Sequence, residues 1–172
     1  MIILLKNIFC LTNLFLSNIY FMKKIFILGF VFCLLFACSL HGGFLSRLAE
    51  FDASARVCFY CGEVQNLENA STQKNGDGAI ISCAAENAID VYKSITNCFG
   101  YSIRFNDVAL VEEILSQIRV LKTQVSQGIT SYFGLAPATM FFDFLGGHKI
   151  NVQVAVCKDY IVVGSPIILG SY

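Results

Sequence analysis

The chain has 172 residues, with twelve basic and twelve acidic side chains and a formal net charge of zero. Hydrophobic residues make up 56 % of it, above the ~45–50 % of ordinary globular domains. Three of the basic residues and none of the acidic ones precede Cys38, so the remainder has nine basic and twelve acidic residues, a formal net charge of −3. A mildly acidic domain has no electrostatic attraction to nucleic acid or anionic lipid, which excludes charge-driven binding to either.

Residues 1–21 are apolar but are interrupted by a polar side chain every few positions. Two interpretations are open. Either they form an extra hydrophobic membrane segment, or translation starts at Met22 and they are a mis-assigned upstream extension. The second is favoured because Met22-Lys23-Lys24 is typical of the start of an export signal.

Residues 22–39 have the pattern of an export signal, with a basic start, an apolar run and small residues after it. The apolar run is shorter than the ~20 residues that span a bilayer. Leu35-Phe36-Ala37-Cys38 resembles a lipobox, in which the thiol of Cys38 is acylated. The alternatives are cleavage to a secreted product and an uncleaved membrane anchor. The sequence thus predicts an extracytoplasmic protein, either secreted or anchored to the outer face of the cytoplasmic membrane.

Residues 40–50 are predicted to be a linker, with flexible glycines followed by a brief helical turn from Phe44 to Glu50. Residues 51–172 are predicted to form one domain. Its first half is predicted to contain these elements: a strand at 52–61, a polar loop or hairpin tip at 65–78, a short strand at 79–81, a helix at 84–96 and a strand at 101–105.

A second helix is predicted after Asn106-Asp107, with an apolar stripe from Val111 to Leu121. The remaining elements are predicted in this order: a strand at 125–133, a bend at 135–139, an extended segment at 140–145, a glycine turn at 146–147, an alternating strand at 150–157, a hairpin turn at 158–159 and a strand at 160–163. This order predicts an α+β fold, a two-layer domain with a mostly antiparallel sheet and two helices packed on one face.

Cys58 and Cys61 form a C-x-x-C pattern. A redox site would place this pair at a helix N-terminus, which lowers the pKa of the first thiol, but a polar loop follows here. A metal-thiolate site would need a second close pair, whereas Cys83 and Cys98 are separated by most of a helix. Disulfides in an oxidising compartment are a third interpretation, and free, mostly buried thiols are the favoured one. No cofactor is predicted, and Cys58 and Cys61 are the candidate redox or metal residues.

No catalytic constellation is predicted. The chain has two histidines, His41 beside the export signal and His148 in a glycine turn, and neither belongs to a Ser-His-acid arrangement. Three aromatic residues cluster after Pro137: Phe141, Phe142 and Phe144. Core packing is the default explanation for them, and a groove for a peptide or lipid is the alternative.

The strand-rich end of the chain carries a family resemblance. Residues 129–133 (ITSYF), 148–155 (HKINVQVA) and 161–168 (IVVGSPII), with a terminal Tyr172, resemble the exported YwmB-like family of Gram-positive spore formers. That family is described by fold as TATA-box-binding-protein-like. The resemblance implies an exported α+β domain with a role in the cell envelope or in sporulation, and it supplies no catalytic residues. It does not imply DNA binding here, because the domain lacks a basic, aromatic-studded strand face.

Together these observations favour a non-enzymatic, membrane-anchored envelope protein. Its expected partners are the membrane, through a lipid or the hydrophobic N-terminus, and an envelope protein or wall component; nucleic acid is not expected. Two alternatives stay open. One is a structural component of spore or envelope assembly, and the other is a thiol redox or metal-thiolate protein that uses Cys58 and Cys61.

Overall fold

The computed structural model describes residues 43–169. These residues form an eight-stranded antiparallel sheet, three α-helices and a separate two-stranded sheet, so the predicted α+β class is confirmed. The segment 1–21, the predicted export signal 22–39 with Cys38, His41 and Tyr172 lie outside the described residues. Within residues 43–169, none of the helices has the length and apolar character needed to cross a membrane.

The helices are α1 (Gly43–Phe51), α2 (Ala88–Ser94) and α3 (Val111–Ser116), and short 3-10 turns lead into α2 and α3. The strands are β1 (Arg56–Cys61), β2 (Ser71–Asn75), β3 (Gly78–Ala84), β4 (Cys98–Phe105), β5 (Arg119–Ser126), β6 (Ile129–Leu135), β7 (Asp143–Leu145), β8 (His148–Ile150), β9 (Val152–Val156) and β10 (Ile161–Ser165). The large sheet has the order β2-β3-β1-β4-β10-β9-β6-β5, and all its neighbouring strands are antiparallel. Strands β7 and β8 pair with each other.

The hydrophobic core lies on one face of the large sheet. Alternate residues of the central strands point into it because side chains on a strand alternate between faces. The core-facing set includes Val57, Phe59, Ile81, Ile103, Phe105, Val154, Ile161 and Val163, all completely buried. The helices add Ala88 and Val91 from α2 and Ile114 from α3. Full burial of each large apolar side chain stabilises the fold by roughly 1.5–3 kcal/mol.

Helix α1 occupies most of the segment predicted to be a linker. Its Phe44, Leu45 and Leu48 are at most 1 % exposed and belong to the core cluster. Their spacing places them on one face of a helix, which packs against the sheet. The ring of Phe51 lies edge-on to Phe105 of β4, with centroids 6.3 Å apart. The packed domain therefore includes residues 43–51.

Four other predicted elements differ from the structure. The predicted polar loop or hairpin tip 65–78 contains β2, and the predicted strand 150–157 is divided between β8 and β9. The predicted helix over 111–121 ends at Ser116, and β5 begins at Arg119. The predicted strand 125–133 is instead interrupted by a turn: it spans the end of β5, the hairpin turn and the first five residues of β6. Gln127 and Gly128 turn the chain there with φ of 52° and 78°, the left-handed geometry that two-residue hairpin turns require.

Candidate binding site

An apolar groove runs between α2 and the segment that follows β6. Its volume is about 400 Å³, and it is lined by Ile89, Tyr92, Lys93, Ile95, Cys98, Met140 and Phe141. Binding clefts for small molecules and side chains usually have volumes of roughly 300–1,000 Å³ and mostly apolar walls. The groove therefore has the size and lining of a ligand or peptide site.

Helix α2 forms the first wall of the groove. Its Ala88 and Val91 are buried against the sheet, and Tyr92 on the same helix is partly buried. The Tyr92 ring stacks on Phe59 of β1, with centroids 5.8 Å apart and an interplanar angle of 23°. This contact fixes the ring, and burial raises the pKa of the Tyr92 phenol. The phenol thus stays neutral and hydrogen-bonding at ordinary pH.

The segment after β6 forms the opposite wall. The side chain of Asn151 accepts a hydrogen bond from the Ala136 N–H at 2.7 Å and donates one to the Ala136 carbonyl at 2.8 Å. The Phe141 ring lies edge-on to Tyr101, with centroids 6.3 Å apart. These contacts hold the wall against the sheet, and Met140 remains 59 % exposed at its rim.

Beyond this wall, residues 140–150 form what we call the aromatic hairpin, built on β7 and β8 around the turn at Gly146 and Gly147. Phe142 is 54 % exposed and Phe144 is 64 % exposed, and their rings meet edge-on at 6.1 Å. The Lys149 ammonium lies 4.0 Å from the centroid of the Phe142 ring. Of the three aromatic residues singled out in the sequence, Phe141 is partly buried against the core and the other two face solvent.

The thiols of the C-x-x-C pattern lie on opposite faces of β1. Cys58 Sγ is 3.3 Å from the Ser82 hydroxyl on the face away from the core. Cys61 is completely buried in the core cluster. The reason is strand geometry, because residues three apart in a β-strand point in opposite directions. The structure does not bring together the two candidate redox or metal residues.

Cys61 has a different thiol neighbour, Cys98, its cross-strand partner on β4. The two thiols lie close enough for each to perturb the pKa of the other. Burial, with the neighbouring Cys98 thiol, raises the pKa of Cys61 to about 12, and burial also raises the pKa of Cys98. Both thiols are thereby kept protonated and weakly nucleophilic. No local pattern in the sequence marks this pair, because 36 residues and a helix separate its members.

The other cysteines are dispersed. Cys83 is buried on β3, where burial raises its pKa to about 11, and Cys157 is buried after β9. All five cysteines in the described part of the chain are free thiols. Residues 43–169 contain no group of three or more His, Cys, Asp or Glu side chains placed to hold a metal ion.

The sheet face opposite the core carries a set of polar side chains that sequence reasoning missed. Arg56 donates to the Ser82 hydroxyl at 3.3 Å, and the Tyr60 and Ser102 hydroxyls are 3.1 Å apart. Nearby, the Arg104 guanidinium lies 3.8 Å from the Tyr160 ring centroid. The alternation along β1 could have revealed this face, because Arg56, Cys58 and Tyr60 alternate with the buried Val57, Phe59 and Cys61. These contacts supply hydroxyl and guanidinium groups but no carboxylate or imidazole that could serve as a general base.

Comparison with known proteins identifies no relative: no family model matches the chain, and no curated protein or solved structure matches it.

Proposed function

We propose that the chain is an exported, membrane-anchored envelope protein whose domain binds a partner protein through the apolar groove and catalyses no reaction. The observation that carries the binding role is the groove itself, a rigid apolar cleft with Met140 exposed at its rim. The predicted export signal at 22–39 supports the extracytoplasmic localisation.

The walls of the groove favour an apolar peptide segment as the occupant. Tyr92 and Phe141 are each held by a second aromatic ring, so little conformational entropy is lost when a side chain enters. Lys93 stands at the edge, and its only described ion pair, with Asp90 at 3.6 Å, is solvent-exposed and weak. A segment with an apolar anchor and a neighbouring acidic residue would complement this edge.

The chemistry of the groove supports binding rather than catalysis. The nucleophile in its lining is Cys98, whose thiol donates to the Gly100 carbonyl at 3.3 Å. Burial raises the pKa of this thiol, which disfavours the reactive thiolate. The lining residues include no carboxylate or imidazole that would deprotonate it.

Photocrosslinking in intact cells tests the binding role. A benzophenone amino acid replaces Met140 at the groove rim, and the matched control carries it at Val125, which is 69 % exposed on β5. We expect one dominant crosslinked partner from position 140 and none from position 125. Ile95→Trp, which fills the groove, should abolish the crosslink. A crosslink that survives this filling would refute binding in the groove.

The proposed localisation is tested by the intact mass of the protein extracted from membranes. The mass locates the processed N-terminus at Met1, Met22 or Cys38 and reveals acylation of Cys38. A full-length, unmodified product recovered from the soluble cell interior would refute export.

The resemblance to YwmB-like proteins supports the same extracytoplasmic localisation, and it adds a role in sporulation to the proposal. Deleting the gene and comparing spore yield with vegetative growth tests that addition. The alternative of a thiol redox or metal-thiolate protein using Cys58 and Cys61 is tested by thiol titration with and without a chelator. A low-pKa thiol or bound zinc would favour that alternative over the binding role.

A further inference from the structure

The start of the described chain lies against the segment that leads into the aromatic hairpin. A Cβ built on Gly43 would be 2.8 Å from the Cβ of Ala138, so the two backbones are in close contact. Ala138 precedes Met140 by two residues and Phe142 by four. Because consecutive residues span at most ~3.6 Å, these side chains lie near the point where the chain enters the domain.

The surface near this entry point is aromatic and amphipathic. Met140, Phe142 and Phe144 are each more than half exposed, although large apolar side chains are usually buried. Lys149 places its ammonium over the Phe142 ring. Exposed aromatic side chains beside a lysine are typical of segments that lie in the interfacial layer of a bilayer.

We propose that the aromatic hairpin inserts Phe142 and Phe144 into the interface of the membrane that carries the protein. This inference rests on the proposed function for its premise that the N-terminus is anchored. Gly43 lies five positions after Cys38, and a fully extended chain over five steps reaches about 18 Å. Such a short tether keeps the entry point, and the hairpin beside it, within reach of the headgroup layer.

Apolar burial rather than charge drives this insertion. Asp143 and Lys149 give the hairpin one acidic and one basic side chain, and their charges cancel. A bilayer is favoured over a protein partner for this surface because the anchor makes lipid the permanent neighbour of the entry point. We therefore expect insertion to be insensitive to salt and to occur in zwitterionic as well as anionic lipid.

The chain contains no tryptophan, so an introduced tryptophan is its single indole fluorophore. We would place one at Phe142 or Phe144 of the full chain in proteoliposomes. Matched controls carry it at Val64 or Val125, which are 56 % and 69 % exposed. We expect lipids brominated near the headgroups to quench F142W and F144W, to quench them less when the bromines lie deep in the acyl chains, and to leave both controls unquenched. This pattern corresponds to the depth of ~5–10 Å reached by interfacial segments.

A second variant measures the energetic contribution of one ring. Phe144→Ser in the F142W background should lower the insertion equilibrium constant about tenfold, because burying the exposed half of a phenylalanine contributes about 1.4 kcal/mol. Adding 0.5 M salt shortens the screening length to about 4 Å and should leave the quenching unchanged, because insertion does not depend on charge.

The outcomes separate this inference from the proposed function. Tryptophans at 142 and 144 that stay unquenched in a chain firmly held by the membrane would overturn the inference and leave the anchor intact. Equal quenching at the control positions would overturn it as well. A chain that is not anchored yet binds vesicles with F142W quenched would support the inference and refute the anchor, and a chain that neither binds nor is quenched would refute both.

Discussion

Replacing Leu48 by alanine tests whether α1 belongs to the cooperative core. The Leu48 side chain is 0 % exposed and lies in the core cluster with Phe44 and Leu45 of the same helix. The substitution removes three carbon atoms, whose transfer from water contributes about 0.8 kcal/mol each, or about 2.4 kcal/mol.

The cavity that remains adds to this loss. Since Phe44 and Phe105 of the same core cluster are also 0 % exposed, the site has little freedom to collapse. We therefore expect a total cost of about 3–4 kcal/mol, within the ~2–5 kcal/mol range of buried leucine truncations. For a domain of this size, that lowers the melting temperature by on the order of 10 °C.

Urea unfolding of the processed protein, followed by circular dichroism, measures the effect of Leu48→Ala. The midpoint should fall while the slope m stays unchanged, because the surface exposed on unfolding is nearly the same. Leu121→Ala is the matched control, since Leu121 is 37 % exposed on β5 and its truncation should cost less than about 1 kcal/mol. Equal costs for the two substitutions would show that residues 43–51 are a linker after all.

Three further predictions concern the thiols and a close backbone approach. Refolding from urea in the presence of cystine should link Cys61 to its cross-strand partner Cys98 in a disulfide, because both thiols are exposed and have their ordinary pKa of ~8.5 until the sheet forms. The exchange releases two cysteines and removes about 2 Da from the intact mass. Cys58→Ser should leave this reaction unchanged, and persistence of the bond in Cys98→Ser would refute the pairing. Folding raises the pKa of Cys61 from ~8.5 in the unfolded chain to about 12. Its contribution to stability is fully present below pH ~8.5, and it is lost as pH rises toward 12 because the unfolded state releases the thiol proton first. The urea midpoint should therefore fall between pH 9 and 12, with a smaller fall in Cys61→Ala, and equal slopes would contradict the argument. Gly78→Ala should destabilise the domain by about 1–3 kcal/mol, because its Cβ would lie 2.5 Å from the Cys61 carbonyl oxygen, whereas Gly62→Ala, with 3.8 Å of clearance, should cost less than about 1 kcal/mol in the same assay.

The strands near the end of the chain could be predicted because their local pattern agrees with their environment. Ile150, Val152, Val154 and Val156 alternate in the sequence, and the structure has β9 at Val152–Val156. The turn after it was also predicted correctly, and the Cys157 N–H donates to the Tyr160 carbonyl at 2.9 Å to close it. In this region, propensity and periodicity favour the same hairpin, although Lys158-Asp159 lacks the glycine that such turns favour.

Residues 118–121 show why the second helix was predicted too long. Ile118 and Leu121 fit a helical stripe, and this short apolar run fits a strand equally well. In the structure Ile118 is buried, whereas Val120 and Leu121 are 39 % and 37 % exposed on β5. Pairing with β6 determines the outcome, and such a long-range contact leaves no signature in a local window of sequence.

The candidate site was predictable in part. The aromatic cluster after Pro137 pointed to the correct segment, but sequence alone could not tell that Phe141 packs partly buried against the core while Phe142 and Phe144 face solvent. The C-x-x-C spacing suggested a pair of adjacent thiols, and the strand conformation of β1 separates them. The neighbour of Cys61 is set by the β1–β4 register, a property of the sheet rather than of the motif.

The order of the sheet has a consequence for how the protein matures. Strand β10 lies between β4 and β9, so it joins β2-β3-β1-β4 to β9-β6-β5. Until residues 161–165 have paired, the polypeptide can form only two separate half-sheets, each with an unpaired edge strand. If the chain is exported through a translocation pore, as proposed, the domain would thus remain incompletely folded until almost all of it had passed through the pore. Pairing of β10 with β4 and β9 would be the final step of folding.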